Sequence, residues 1–286
     1  MQVLSRIYLA ALVAVMALVG AGAASAGIGQ PSDWQIGPQG PVSTVADQIV
    51  GFHTYLLVII SVITAFVLAL LVYVVVRFNA RANPTPSRTT HNTLLEVAWT
   101  LIPVLILLAI AVPSFRYLLY QLNIPKADLT VKATGKQWFW SYSYPDSKFE
   151  FDSIMLSDKE RKAKLDKDPK ADVPRLLAVD NELVVPVNKV VVVQTTGADV
   201  IHAWAVPSFG VKIDAIPGRL NEVWFRAERE GIYYGQCSEL CGKDHAFMPI
   251  MVRVVSEQAF TAWLEEAKKK YASEETPAAV TVAAGQ

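Results

Sequence analysis

The sequence predicts a membrane-anchored β fold, in which a two-helix transmembrane hairpin precedes a Greek-key β-sandwich. Three observations carry this prediction. Thr54 to Val76 and Val97 to Phe115 are charge-free runs of 23 and 19 residues, each long enough to cross the ~30 Å hydrocarbon core at about 1.5 Å per residue. After Arg116 the pattern changes to short β-rich runs between turn signals, at Leu129 to Ala133, Gln137 to Tyr144, Val190 to Thr195 and Asn221 to Arg226. Both cysteines, one of the four histidines and a methionine fall within the 12 residues Cys237 to Met248, a metal-ligand loop near the end of the β-rich part. Several short strands with a late metal loop describe a sandwich of cupredoxin type.

The composition agrees with a mixed architecture. At 52% hydrophobic and 18% charged residues, with a mean hydropathy of +0.31, the chain is too apolar for an ordinary soluble domain and too polar to lie wholly in a membrane. The 26 basic residues balance the 26 acidic ones. There is no basic field for nucleic acid, and any charged docking surface must be local.

In chain order, residues 1–26 carry Arg6, an apolar run from Ile7 to Val19, and Ala24-Ser25-Ala26 before Gly27. This reads as a cleaved secretory signal; a retained helix is the alternative, but thirteen apolar residues are short for a span. Residues 27–46, rich in Gly, Pro and Ser, form an exported N-terminal segment. The transmembrane hairpin occupies 47–120. Its connecting loop holds Arg77, Arg81 and Arg88 with no acid before Glu96, which places the loop in the cytoplasm and both termini outside. Pro103 in the second span requires neighbouring groups to satisfy the freed carbonyl. The β domain spans 121–263, interrupted at 157–175 by seven basic and five acidic residues with two prolines, a solvated insertion. Residues 264–286 are a charged helix and a flexible tail.

Cys241, His245 and Met248 have the spacing of a mononuclear blue-copper loop that needs one more histidine, for which His202 is the candidate. Cys237 changes the count. Two thiolates four residues apart can each bridge two metals, with one terminal histidine per copper, Met248 on one ion and the backbone carbonyl of Glu239 on the other. The alternative for two cysteines in an exported domain is a disulfide, which requires neither His245 nor Met248 at ligand spacing nor Gly242 in the loop. Such a centre has no open coordination position and reads as a relay rather than a catalyst. His53 and His91 lie at the edges of the spans and away from any nucleophile, as surface or interface residues.

The runs CSELCGKDHAFMPIMV, HAWAVPSFGVKIDAIPGRLNEVWF and GKQWFWSYSY resemble subunit II of bacterial aa3-type cytochrome c oxidases, from the first span to about residue 263. The resemblance implies an electron-input subunit: cytochrome c reduces a dinuclear copper centre (CuA) of two copper ions, and the electron continues to haem in subunit I, where O2 is reduced to water as protons are pumped. It implies a bacterial inner-membrane protein with two spans and its β domain in the periplasm, bound to subunit I and other oxidase subunits. On matching positions it makes Trp138 the exposed ring that receives the electron, Glu96 the mouth of a proton path, and the Glu239 carboxylate a ligand of a Mg2+ or Mn2+ ion shared with subunit I. Asp214, Arg219 and Asn221 fall along the exit route. A basic donor implies an acidic docking face, with Asp146, Glu150, Asp152, Asp180 and Asp199 as candidates. Ser143 and Ala198 stand where relatives often carry acids, and Lys136 where a histidine is common, so that face is thinner. The competing class is a membrane-tethered copper chaperone, which also uses Cys-x3-Cys with a distant histidine and calls for a thioredoxin-like αβ pattern. A receptor module with a structural disulfide is a third.

Overall fold

The structure is a computed structural model that describes residues 29–271. The expected signal at 1–26 and the tail beyond Tyr271 lie outside the described residues. Helix α1 runs Thr44–Arg77, capped by the Ser43 side chain, which accepts from the Ala46 N–H. Helix α2 runs Thr93–Leu122, capped by Asn92 and containing Pro103 and Pro113. Both extend past the charge-free runs because polar caps and charged ends carry them into water. Along their lengths Val58, Leu68, Leu105 and Val112 face outward, an apolar surface that suits lipid or other membrane helices. The pair is held together by Tyr55, whose Oη donates to the Ala109 carbonyl at 3.1 Å, and by the Phe52 and Tyr117 rings at 5.7 Å.

The remaining elements build two five-stranded sheets. In chain order they are β1 (Leu129–Lys136), β2 (Phe139–Tyr144), β3 (Phe149–Ser153), α3 (Asp158–Lys167), β4 (Leu183–Pro186), β5 (Val191–Gly197), β6 (His202–Val206), β7 (Val211–Ala215), β8 (Asn221–Phe225), β9 (Gly231–Cys237), β10 (Pro249–Val255) and α4 (Glu257–Tyr271). One sheet has the order β3-β2-β1-β5-β8 and the other β4-β10-β9-β6-β7. The β1/β5 and β4/β10 pairings are parallel and the rest antiparallel, so the chain crosses between sheets as a Greek-key sandwich does. This is the predicted fold class, and it leaves no place for the thioredoxin-like αβ pattern of the chaperone alternative.

Alternation sets the core. In β3, Phe149, Phe151 and Ser153 are buried while Glu150 and Asp152 point out. The space between the sheets is filled by Trp140, Tyr142, Tyr144, Trp204, Phe209 and Phe225, with Phe209 and Phe225 stacked at 4.3 Å. Two polar ties cross it. Trp204 Nε1 donates to Tyr142 Oη at 3.3 Å. Tyr144 Oη donates to the Val184 carbonyl at 2.7 Å and accepts from the Val184 N–H at 3.1 Å. The hairpin docks through Ser43, whose Oγ donates to the Phe209 carbonyl at 2.7 Å, and Trp224, whose Nε1 donates to the Gln121 carbonyl at 3.1 Å.

Three local expectations are revised. The run Gln137 to Tyr144 is not strand throughout: Lys136 pairs with Phe139, and Gln137 and Trp138 form the tight turn between them. The insertion at 157–175 is not merely a solvated segment. Ser157 and Glu160 make a capping box that starts α3, and Val173 is buried against Leu156 and Ala178. The C-terminal helix begins at Glu257, not near Leu264, because Phe260, Trp263, Leu264 and Ala267 form an i, i+3, i+4, i+7 stripe that packs on the main core. The Trp263 ring lies 5.3 Å from Tyr144, and Tyr271 stacks 4.8 Å from Phe151.

Tyr144 is fully buried, so Tyr144→Phe strands both the donor and the acceptor of Val184. The expected cost is about 1–3 kcal/mol, read as a lower denaturant midpoint for the β domain within the detergent-solubilised full chain.

Candidate metal centre

The candidate donors come from strand ends. His202 opens β6 and Cys237 closes β9, and the register sets Cys237 opposite Trp204, with the Ser238 N–H donating to the Ala203 carbonyl at 3.0 Å. Pro249 at the start of β10 pairs with Gln236. Residues 237–248 are therefore the closed end of a hairpin whose two stems are fixed by the sheet. Within this loop Gly242 has φ +125°, a conformation other residues rarely adopt. A one-turn helix at His245–Phe247 brings His245 and Met248 back toward the thiols.

The result is a compact set of soft and borderline donors. Cys237 Sγ and Cys241 Sγ are 3.9 Å apart, not bonded to each other. His202 Nδ1 is 3.9 Å from Cys237 Sγ, and the Glu239 carbonyl 3.3 Å from the same sulfur. His245 Nδ1 and Met248 Sδ each lie 3.5 Å from Cys241 Sγ. Both cysteines, His202 and Met248 are buried, and the Glu239 residue is exposed. The ligating atoms of His202, Cys237 and Cys241 all fall within 4.8 Å of one another. Two thiols, two imidazoles, a thioether and one carbonyl fit copper.

The electrostatics point the same way. Burial pushes both thiols up. Hydrogen bonds from His202 and the backbone outweigh it at Cys237 and hold that group at about 7. At Cys241 the neighbouring Cys237 adds to burial, and the thiol is pushed up to about 12. One negative charge can reside on the pair, and a cation is what allows both sulfurs to ionise.

Around the donors stands a second set of contacts. The Asp199 carboxylate accepts from His202 Nε2 at 2.8 Å, from the Gln137 N–H at 2.7 Å and from the Val200 N–H at 2.7 Å. Burial raises the Asp199 pKa, but these hydrogen bonds and the adjacent imidazole hold it below the usual carboxylate value. Burial lowers His202, but its contacts with Cys237 and Asp199 raise it above the usual histidine value. Gln137 Nε2 and Trp138 Nε1 both donate to the Cys241 carbonyl, at 2.8 and 3.2 Å. The β1 backbone presses on the His202 ring: a Cβ at Gly135 would stand 2.7 Å from it.

The structure brings together all of the residues nominated as copper donors, with Trp138 beside them. Trp138 is half-buried rather than fully exposed, and the Lys243 ammonium lies 5.5 Å from its ring centroid. The nominated acids are dispersed. Asp146 and Glu150 are at the far end of the β2–β3 hairpin, roughly 20 Å from Trp138 along the strand. Asp152 pairs with Lys136 at 3.6 Å, and Asp180 accepts from the Ile154 N–H at 2.7 Å. The Asp199 side chain is 34% exposed and meets His202 with one oxygen. Glu96 sits in the first turn of α2, with Thr93, Val97, Thr100 and Leu101 lining a groove beside it, the length of the membrane span away. The Asp214 carbonyl accepts from Asn221 Nδ2 at 2.7 Å, and Arg219 is exposed. Sequence reasoning missed Gln137 and Gly135, and the contact of Asp199 with His202. Only the Asp-x2-His spacing offered a signal.

Fold and site together define a membrane-anchored cupredoxin-like protein whose sulfur and imidazole cluster fits copper. The sequence matches the families described as cytochrome c oxidase subunit II, transmembrane domain, at residues 31–117, and cytochrome c oxidase subunit II, periplasmic domain, at residues 129–255. It is 51% identical over 251 residues to cytochrome c oxidase subunit 2 of Cereibacter sphaeroides, covering 84% of this chain and 83% of that protein. It is 44% identical over 239 residues to the Cyanidium caldarium subunit 2, covering 81% and 90%. The crystal structure of the periplasmic domain of subunit II of cytochrome oxidase of Bradyrhizobium japonicum is 67% identical, with 52% of this chain and 99% of that one covered and a TM-score of 0.46. The chain belongs to the cytochrome c oxidase subunit II family. It is thus a two-span membrane subunit of a terminal oxidase that assembles with other oxidase subunits.

Gly135→Ala drives a methyl group into the His202 ring. We expect copper uptake by the full chain to weaken about tenfold or more, with the far-UV circular dichroism unchanged, measured by metal analysis after dialysis against a graded copper competitor.

Proposed function

We propose that this chain is the electron-input subunit of its oxidase and that His202, Cys237, the Glu239 carbonyl, Cys241, His245 and Met248 hold two copper ions. The observation that supports this most strongly is the donor cluster itself: two thiol sulfurs 3.9 Å apart, each with one imidazole nitrogen and one weaker donor within 4 Å. When bound, the copper pair supplies one-electron redox chemistry between a cytochrome c donor and the haem-bearing subunit I, where O2 is reduced to water with proton pumping. The protein's part is to keep the donors fixed while charge changes. Their attachment to paired strand ends does this, and burial keeps water from the sulfurs.

Trp138 is the proposed point at which electrons enter, since its indole N–H reaches the Cys241 carbonyl at 3.2 Å while the residue stays partly exposed. Donor docking rests on Asp199, which accepts from the Gln137 N–H beside Trp138, and on Asp152 of β3 and Asp180 next to it, with Asp146 and Glu150 farther out. Lys243, 5.5 Å from the ring centroid, sets one positive charge beside these acids. Rim charges of this kind act on association rate and salt sensitivity. The exposed Glu239 carboxylate is available for a Mg2+ or Mn2+ ion at the junction with subunit I, a hard cation that takes oxygen ligands. Glu96 opens a proton path from the cytoplasmic side. This orientation puts residues 78–92 in the cytoplasm and the sandwich in the periplasm of a bacterial inner membrane, as the arginines of that loop favour.

Metal analysis and EPR of the full chain in detergent, reconstituted with copper and freed of loose metal, test the assignment. The expected result is two coppers per chain sharing one unpaired electron, lost in Cys237→Ser and in Cys241→Ser. One copper per chain, or none in a folded and reduced protein, overturns it. In the assembled oxidase, Trp138→Ala should remove most of the electron-input rate from reduced cytochrome c while the copper spectrum stays the same; an unchanged rate rules out that ring as the point of input.

A further inference from the structure

Residues 241–243 of the metal loop are laid against the proposed electron-entry ring. The Trp138 indole N–H donates to the Cys241 carbonyl at 3.2 Å, and a Cβ at Gly242 would stand 3.0 Å from Cζ2 of that ring. The next residue, Lys243, carries its ammonium to 5.5 Å from the ring centroid, within the range of a cation–π contact. Its side chain is 77% exposed, and Leu240, on the other side of Cys241, is 79% exposed. A partner that reaches Trp138 therefore meets an open apolar surface with the Lys243 cation in it. Asp244 lies 3.7 Å from that ammonium, but a pair this exposed is weak and screened, and it is the ammonium that stands over the indole. The acids Asp152, paired with Lys136 at 3.6 Å, and Asp199, which accepts from the Gln137 N–H, meet the two residues that precede the ring.

We infer that Lys243 is a specificity-determining residue for the electron donor: it sets a like charge against a uniformly basic haem edge and favours a cytochrome c whose basic contact face carries a carboxylate opposite this ammonium. The inference rests on the entry of electrons at Trp138 proposed above. The acids and the lysine act at different ranges. Acids at the rim draw a basic partner in through a field that salt screens over about 10 Å at 0.1 M, whereas a cation at the ring is met at contact, where a like charge selects against the wrong partner.

Assembled oxidase carrying Lys243→Gln, Lys243→Glu or Lys243→Arg is compared with the unaltered complex by EPR of the copper centre and by KM and kcat for a reduced, positively charged soluble cytochrome c at low and high ionic strength. For Lys243→Gln we expect KM at low salt to fall about twofold to fivefold, and for Lys243→Glu to fall further, with kcat and the copper spectrum unchanged and the differences lost at high salt. Lys243→Arg should match the unaltered complex, and Lys243→Gln decides the matter if the glutamate disturbs the copper spectrum. Derivatives of the same cytochrome, each with one haem-edge lysine changed to glutamate, complete the test. At least one should reverse the order, with a lower KM on the unaltered oxidase than on Lys243→Glu; if none does, the ammonium does not face the donor and the inference fails. An unchanged or raised KM in both Lys243→Gln and Lys243→Glu overturns it, and so does a fall in kcat with KM unchanged, which marks a cation that only steadies the ring. Undiminished input from reduced cytochrome c in Trp138→Ala instead overturns the entry assignment on which the inference rests.

Discussion

Two thiol sulfurs held 3.9 Å apart in a buried loop are the constraint around which this chain is built. Two adjacent negative charges in a low-dielectric interior repel strongly, so without a cation one sulfur keeps its proton, as the opposed shifts of Cys237 and Cys241 express. The loop would relax if its ends were free. They are not: Cys237 ends a strand paired on both sides, and Pro249 begins the next. Sheet hydrogen bonding thus holds a local arrangement that is unfavourable by itself and becomes favourable with the proposed metal ions.

The rest of the sandwich supplies rigidity at a distance. The Tyr144 hydroxyl ties the two sheets at Val184, and α4 closes the open aromatic edge at Phe149, Phe151 and Tyr271. Between them the fully buried Trp140 and Trp204 fill the space behind the centre, and the Trp140 ring lies 6.0 Å from that of His202. Large rings in a close-packed interior have few alternative positions. Small residues then matter as much as large ones, since Gly135 is the position where the backbone of one sheet can approach a histidine of the other.

The membrane hairpin is joined to this unit by contacts that are polar and specific rather than by a flexible tether. Ser43 caps α1 and also hydrogen-bonds the Phe209 carbonyl, and Trp224 of the sandwich reaches the last turn of α2. The position of the centre above the membrane is therefore set by the fold. For a subunit that must meet a partner subunit's cofactor at a fixed separation, such coupling is a mechanical requirement.

The sequence by itself determined the classes of element and the candidate donors. Hydrophobic run length is a direct reading of bilayer thickness, and His202, Cys237, Cys241, His245 and Met248 are rare residue types whose chemistry survives without knowledge of the fold. It did not determine what depends on contacts between distant segments. Trp138 lies on a turn because the β1/β2 register closes at Lys136 and Phe139, α3 and the early start of α4 depend on a capping box and an apolar stripe embedded in charged sequence, and the acids close to the centre differ in the partners their oxygens meet. Asp199 and Asp152 are alike in sequence. Tertiary structure turned one oxygen of the first toward a buried imidazole and set the second against Ser141 and Lys136, because the partners brought within hydrogen-bond reach are decided by segments distant in sequence.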